Sequence, residues 1–288
     1  MPRRIKSLAA GRPPTTQSSK ASLSSQATRT LIRTHHALQK QLTAAKAQGD
    51  QTKTNEIQAK IDSLGGLERY QQASIQGQST ERGGDSSIVL IKFLEDVLPG
   101  LRDRTEKIKL LEVGALSVEN ACSRSKLFDV ERIDLNSQAE GILQQDFMER
   151  PLPADGDEMF DIISLSLVLN YVPDNVQRGE MLRRTRSFLQ RQSKDEDVLP
   201  ALFFVLPAAC VTNSRYFDDA TLSSIMTVLG YVEIKRKQTA KLVYYLYHLT
   251  ADSPTRHISY GKKEIRSGAT RNNFSVVLNS ATQPPAPG

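Results

Sequence analysis

A chain of 288 residues with 39% hydrophobic and 6% aromatic positions and no tryptophan can build one large domain with extensions, but not a core running from end to end. Its net charge of +6 is uneven: residues 1–60 hold eleven Lys or Arg against Asp50 and Glu56, and residues 251–288 hold five against Asp252 and Glu264, which leaves the middle acidic. Two distant cysteines, Cys122 and Cys210, exclude a disulfide framework and a cysteine-rich metal centre, and no apolar run reaches the length of a membrane helix. With no apolar signal core at the N-terminus, a soluble intracellular protein is expected.

Residues 1–26 are rich in Ser, Thr, Pro and basic residues, the composition of a disordered basic tail. The cluster Pro2-Arg3-Arg4-Ile5-Lys6 has the character of a nuclear or nucleolar address. From Ala27, Leu31, His35, Leu38, Leu42 and Ala45 recur at helical spacing as one stripe. Gly49-Asp50 interrupts it, and Ile57, Ile61 and Leu64 resume it until Gly65-Gly66. Residues 27–75 thus read as a basic helical hairpin suited to RNA. His35 and His36 have no ligand at metal spacing and read as surface or RNA-facing, so no metal site is expected.

The polar, glycine-dense stretch up to Ser87 leads into a helix, Ile88 to Leu98, which Asp85 or Ser86 can cap. Arg82 has no capping use, and its guanidinium suits a bidentate pair with a ligand carboxylate. Leu110, Leu111 and Val113 then make the short apolar run of a buried parallel strand, stopped by Gly114. A second strand, Phe128 to Ile133, stops at Asp134. A glycine lets backbone approach a ligand closely. A carboxylate twenty positions later is where a doubly wound fold meets ribose hydroxyls. The pair predicts a nucleoside pocket. After Gly114 come Ala115, Leu116, Ser117 and Val118, which lack the glycines a pyrophosphate needs and suit S-adenosylmethionine (SAM), which has no phosphate. Ile142 and Leu143 open a third strand toward Asp146-Phe147, a pair able to hydrogen-bond and pack on adenine. Arg82 is the candidate for the methionyl end of SAM.

Phe160 to Leu169 reads as the strongest strand, ending at Asn170-Tyr171-Val172-Pro173. Ligands in open α/β sheets sit beyond the carboxyl ends of strands, so Asn170 and Tyr171 are the catalytic candidates. Ser164 and Ser166 share one strand face, and Ser164 is a candidate cofactor contact. Asp174 can cap a helix running through Leu189, with Met181, Leu182 and Phe188 inward, and Arg191 to Asp197 is a loop. A strand at Ala201 to Leu206 follows, then a helix from Asp218 or Asp219 with a Leu222, Ile225, Met226 and Leu229 stripe. Strands at Tyr231 to Lys235 and Lys241 to Tyr247 close the domain. Residues 251–288 read as a basic tail with one further strand, Asn273 to Leu278.

The expected fold is therefore α/β: a Rossmann-like class I methyltransferase with a mostly parallel central sheet over residues 76–250, preceded by a helical N-terminal extension. The closing strands suit that class better than an NAD-dependent dehydrogenase. The stretches GGLERYQQASIQGQ, RGGDSS, LLEVGALSVENACS, IDLN, QQDF, DIISLSLVLNYVP, LGY to TAKLVYYLY, and RNNFSVVL together resemble the fungal nucleolar 25S rRNA adenine-N1 methyltransferase family. That family is similar in turn to a metazoan SAM-sensing protein. The resemblance implies SAM binding at Gly114 and Asp134, with Asp146, Phe147, Arg82 and Ser164 as further contacts. It also implies methylation at N1 of one adenine in large-subunit rRNA. The expected partner is that rRNA or a pre-ribosome, engaged by a monomer without membrane or metal, in the nucleus and nucleolus. A SAM-sensing binding protein without chemistry is the alternative.

Overall fold

The computed structural model describes residues 25–66, 69, 84–98, 100–103, 105–137, 139–190, 198–250 and 259–279. Helix α1 (Ser25–Ala47) and helix α2 (Gln51–Ser63) form the expected hairpin. Asp50 accepts the Lys53 N–H at 2.9 Å and so caps α2, while Gly49 takes φ 68° in the turn between them. Leu42, Ala45, Ile57 and Ile61 bury against one another with Leu38 beside them. His35 is also buried, at 6% exposure, and burial lowers its pKa. The surface role expected of His35 is therefore corrected: it shares the stripe of Leu38, Leu42 and Ala45, and that position buries it despite its polarity.

A seven-stranded sheet carries the rest, in the order β3-β2-β1-β4-β5-β7-β6. Its strands are β1 (Ile108–Val113), β2 (Phe128–Asp134), β3 (Leu143–Gln144), β4 (Ile162–Ser166), β5 (Ala201–Pro207), β6 (Tyr231–Gln238) and β7 (Leu242–Leu249). Strands β1 to β5 are mutually parallel, and β7 runs antiparallel to both β5 and β6. The central parallel strands β4 and β5 are buried on both faces because both are covered, whereas the outer strands β2 and β3 carry polar, partly exposed residues. Leu111, Val113, Ile163, Leu165, Leu202 and Phe204 pack under helices α5 (Asn175–Phe188) and α7 (Asp219–Val228). Their neighbours Leu110, Ile162, Ala201 and Phe203 pack under helix α3 (Ser87–Val97) with Leu90, Phe93 and Leu94. Two short helices, α4 (Ala121–Arg124) and α6 (Ala208–Thr212), follow β1 and β5 at the carboxyl edge. The described helices include none long and apolar enough to cross a membrane.

Asp174 caps α5 as expected, accepting the N–H groups of Val176 and Gln177 at 2.8 and 2.9 Å, and Met181, Leu182 and Phe188 are buried. Two expectations are corrected. Strand β4 stops at Ser166 rather than Leu169, because Leu167 takes φ 58°, a left-handed turn that a side chain adopts only at a cost. Residues 273–278 do not form a strand. They belong to a strap, residues 259–279, that meets the protein through an isolated bridge of Asn272 with Ser214 and closes on itself through one of Tyr260 with Leu278. The reading of residues 259–279 as part of a basic tail is thereby corrected, since the strap is folded onto the domain. The Arg191–Asp197 loop and the N-terminal address lie outside the described residues.

Candidate functional site

The parallel strands bring their carboxyl ends to one edge. At the tip of β1, Gly114 takes φ 75°, and its N–H donates to the Ile133 carbonyl at 2.8 Å. A Cβ at this position would stand 2.5 Å from Val168 Cγ2. Only glycine allows the β1 turn and the loop after β4 to approach so closely. Asp134 ends β2 beside it, one carboxylate oxygen accepting the Asn136 N–H at 2.8 Å, which fixes its orientation. Leu135, next in sequence, is 65% exposed, an apolar side chain beside the expected ribose carboxylate. Asp146 follows the tip of β3 and accepts the Met148 N–H through Oδ1 at 2.7 Å; no hydrogen bond to its Oδ2 is made by the described residues.

Phe147 does not join them. Its ring is 2% exposed, lies 5.3 Å from the Phe188 ring, and has the Arg184 guanidinium 5.9 Å from its centroid. The expected packing of this ring on adenine is corrected: the side chain belongs to the core. Ser164 is buried at 7% and sits in register between Glu112 and Phe203. Arg82 lies outside the described residues.

Beneath the Gly114 turn is a polar cluster that sequence inspection touched only in part. Glu112 accepts the Asn120 amide at 2.8 Å through both carboxylate oxygens. Asn120 in turn accepts the Ser123 N–H at 2.8 Å and so caps α4. Burial pushes the Glu112 carboxyl up to about 6, against the opposing pull of the Asn120 hydrogen bond and Arg132. Asp85 ties α3 to α4, accepting the Ser87 N–H at 2.9 Å and the Ala121 N–H at 2.5 Å. Ser86 and Ser166 share a hydrogen bond of 2.8 Å, so the start of α3 is fastened to the tip of β4. An acid two positions before a strand-ending glycine was the available sign of Glu112. Asp85 was legible as a helix cap, but nothing local announced Asn120 or the tie from Asp85 to Ala121, whose partners lie eight and thirty-six residues away.

The loop after β4 completes the crevice. Tyr171 N–H closes a turn on the Val168 carbonyl at 2.9 Å, and both Asn170 and Tyr171 are half-buried. Asn170 Oδ1 is buried without a hydrogen-bond donor among the described residues. An acceptor in that state costs about 1–3 kcal/mol until a donor reaches it. Gly114, Asp134, Asp146, Asn170 and Tyr171 thus gather at one edge. A cavity of about 630 Å³ is lined by Lys109, Asp129, Leu143, Gln145, Arg150 and Phe160 among others. No group of three or more His, Cys, Asp or Glu among the described residues is arranged to hold a metal.

A parallel sheet with β7 reversed beside β5, a glycine closing β1 and an acid closing β2 define a class I SAM-dependent methyltransferase. Residues 55–276 match the family described as 25S rRNA (adenine(2142)-N(1))-methyltransferase, Bmt2. The 25S rRNA adenine-N(1) methyltransferase of Schizosaccharomyces pombe is 40% identical over 251 residues, spanning 85% of this chain and 89% of that protein. The 25S rRNA (adenine(2142)-N(1))-methyltransferase of Saccharomyces cerevisiae is 42% identical over 224 residues, spanning 77% of this chain and 63% of its own length. The chain belongs to this family. Among solved structures, an O-methyltransferase family protein of Burkholderia thailandensis aligns with a TM-score of 0.44 at 9% identity, over 77% of this chain and 72% of that one. The 16S rRNA methylase RmtB aligns with a TM-score of 0.41 at 12% identity, over 77% and 98%.

Proposed function

We propose that the protein transfers the methyl group of SAM to N1 of one adenine in large-subunit rRNA. The observation that carries this reading is the contact between Gly114 and Val168. It sets the cofactor turn of β1 directly against the loop bearing Asn170 and Tyr171. Family membership supports the substrate.

The residues present fit the cofactor. The Gly114 turn, lacking a Cβ, lets Val168 close against it and offers backbone at the tip of β1, Asp134 is oriented for ribose hydroxyls, and Leu135 offers an apolar surface beside it. Asp146, through Oδ2, can accept from an adenine amine. Ser164 and Arg82 complete the set, Arg82 toward the methionyl carboxylate, and Phe147 contributes through its backbone rather than its ring. When bound, SAM supplies an electrophilic methyl: the N1 lone pair forms the C–N bond as the C–S bond breaks, and positive charge passes from sulfur to the adenine ring.

N1 of neutral adenine carries its lone pair without losing a proton, so the protein's task is to position and to exclude water. Asn170 Oδ1 is the acceptor available for the adenine exocyclic amine. As N1 gains its methyl the ring becomes cationic and that amine a stronger donor, so the bond strengthens toward the transition state. Tyr171 provides a ring for the extracted base to stack upon. The proposal extends to a monomer acting without a metal on rRNA or a pre-ribosome in the nucleolus. The Pro2–Lys6 cluster supports that address, and the lone pair at N1 supports chemistry without a Lewis acid.

The test is methyl transfer from labelled SAM to large-subunit rRNA lacking the modification, with wild type beside Gly114→Arg. Label on one adenine, lost in the variant, is expected. SAM binding by wild type with no label on any RNA would overturn the enzyme reading.

A further inference from the structure

The strap turns a feature that looks like a loose basic end into a built surface. Its path is fixed by backbone pairing with the segment after α6. Arg215 N–H donates to the Asn272 carbonyl at 2.9 Å, Asn272 N–H to Asn213 at 3.0 Å, and Ile265 N–H to Arg215 at 2.9 Å. Ser214 Oγ donates to the Phe274 carbonyl at 2.5 Å, and Phe274 sets its ring against Phe217, centroids 5.3 Å apart. Further on, Val277 N–H donates to the Asn175 carbonyl at 2.9 Å. Arg178, 2% exposed, donates to the Ser275 carbonyl at 2.7 Å and to the Val172 carbonyl at 2.8 Å. Since α6 follows the tip of β5 and α5 follows the tip of β4, the strap runs along the carboxyl edge. Arg178 joins it to the loop that carries Asn170 and Tyr171.

What this rim presents is charge without compensation. Between Tyr260 and Asn273 stand Lys262, Lys263, Arg266 and Arg271 against Glu264 alone. Arg266 pairs with Asp218 at 3.3 Å, but Arg215, Lys262, Lys263 and Arg271 have no carboxylate partner among the described residues. Two of them are held by backbone oxygens of consecutive residues: Arg271 Nε donates to Ser267 at 2.6 Å, and Arg215 Nη2 to Gly268 at 2.8 Å. Two guanidinium groups are thus oriented around one turn by carbonyls, which leave their charge in place. Lys262 Nζ rests 4.2 Å from the Tyr216 ring centroid, a contact that orients an ammonium without neutralising it. Fixed cations at a crevice rim favour a polyanion, and contacts to phosphates set position while other groups read the base.

We propose that Arg215, Lys262, Lys263 and Arg271 form a phosphate-binding platform that seats the RNA strand beside the crevice while its target adenine enters. This inference rests on the rRNA reading above and names the surface that holds that substrate. The platform is distinct from the N-terminal hairpin and belongs to the folded domain.

The test uses the full chain and unmodified large-subunit rRNA, with Lys262→Gln/Lys263→Gln and, separately, Arg215→Gln/Arg271→Gln. For each, KM for RNA is measured across salt concentrations, and SAM affinity is measured by calorimetry. Expected are an RNA KM raised by about tenfold or more, a salt-dependence slope reduced by about one per cation removed, and unchanged SAM affinity. The exposed lysine pair keeps the test valid if the arginine variant misfolds. Both variants matching wild type in KM and slope would overturn the platform. So would variants that lose a pre-ribosomal particle but keep naked rRNA, which would assign the rim to a protein partner. Failure of wild type itself to methylate RNA would instead remove the rRNA reading on which the platform rests.

Discussion

Asn170 is where chemistry and structure meet in a single atom. Its Oδ1 is buried without a donor among the described residues, a cost that the exocyclic amine of the proposed adenine substrate would remove. Asn170→Ala is expected to lower kcat for methyl transfer by about 10²-fold, the scale of losing one oriented partner of the transition state, with KM for SAM unchanged. A rise in KM for RNA at full kcat would make Asn170 a simple binding contact. Glu112 gives a second prediction. Its carboxyl titrates at about 6 instead of the usual 4.5 because burial disfavours the anion, so the folded state holds a proton that the unfolded chain has released. Stability from this group is present at low pH and lost as pH rises through about 4.5 to 6. Glu112→Gln should gain about 2 kcal/mol in urea unfolding at pH 8, at 1.36 kcal/mol per unit, and nothing at pH 4. An equal difference at both pH values would show that Glu112 does not titrate in this way. At this scale the sequence was a good guide where backbone position decides the role. Gly114, Asp134 and Asp146 all lie at strand tips as their spacing required. It misled at Phe147, whose side-chain direction is set by a packing partner far away in sequence, the Phe188 ring, and at His35, which is buried on the apolar stripe of α1.

At the scale of elements, most strands and helices were legible because their apolar spacing is unambiguous, as in Ala201 to Leu206 or the Leu222 stripe. The end of β4 was not. The apolar run continues through Leu169, and only the left-handed turn at Leu167 lifts the loop off the sheet and across Gly114. The strap was also invisible, since its alternating residues imitate a strand while its hydrogen bonds go to loops and to Arg178. Its hold on α5 is tight: a Cβ on Gly179 would stand 1.9 Å from the Val277 carbonyl oxygen. Gly179→Ala should therefore displace the strap at a cost of roughly 1–3 kcal/mol, measured by thermal unfolding. The same variant should make residues 272–278 more sensitive to limited proteolysis. A variant with wild-type unfolding and cleavage would show that strap and helix yield without cost. Because Arg178 links the strap to the Val172 carbonyl, methyl transfer should weaken with it.

Across the whole molecule, the uneven charge acquires a place. The acidic middle holds the sheet and its cofactor edge, while cations of the strap stand along that edge and those of the hairpin precede it. Composition alone revealed the asymmetry but not that part of the C-terminal charge is fastened beside the crevice, because that depends on pairing between residues 213–215 and 265–272. The central claim is that this edge presents the N1 position of an adenine, held through its exocyclic amine, to a methyl donor. The most direct measurement is nucleoside mass spectrometry of large-subunit rRNA after reaction with labelled SAM. The account predicts label in 1-methyladenosine at a single site, absent with Gly114→Arg. Label in N6-methyladenosine would contradict it, because the amine that Asn170 is proposed to hold would then be the nucleophile.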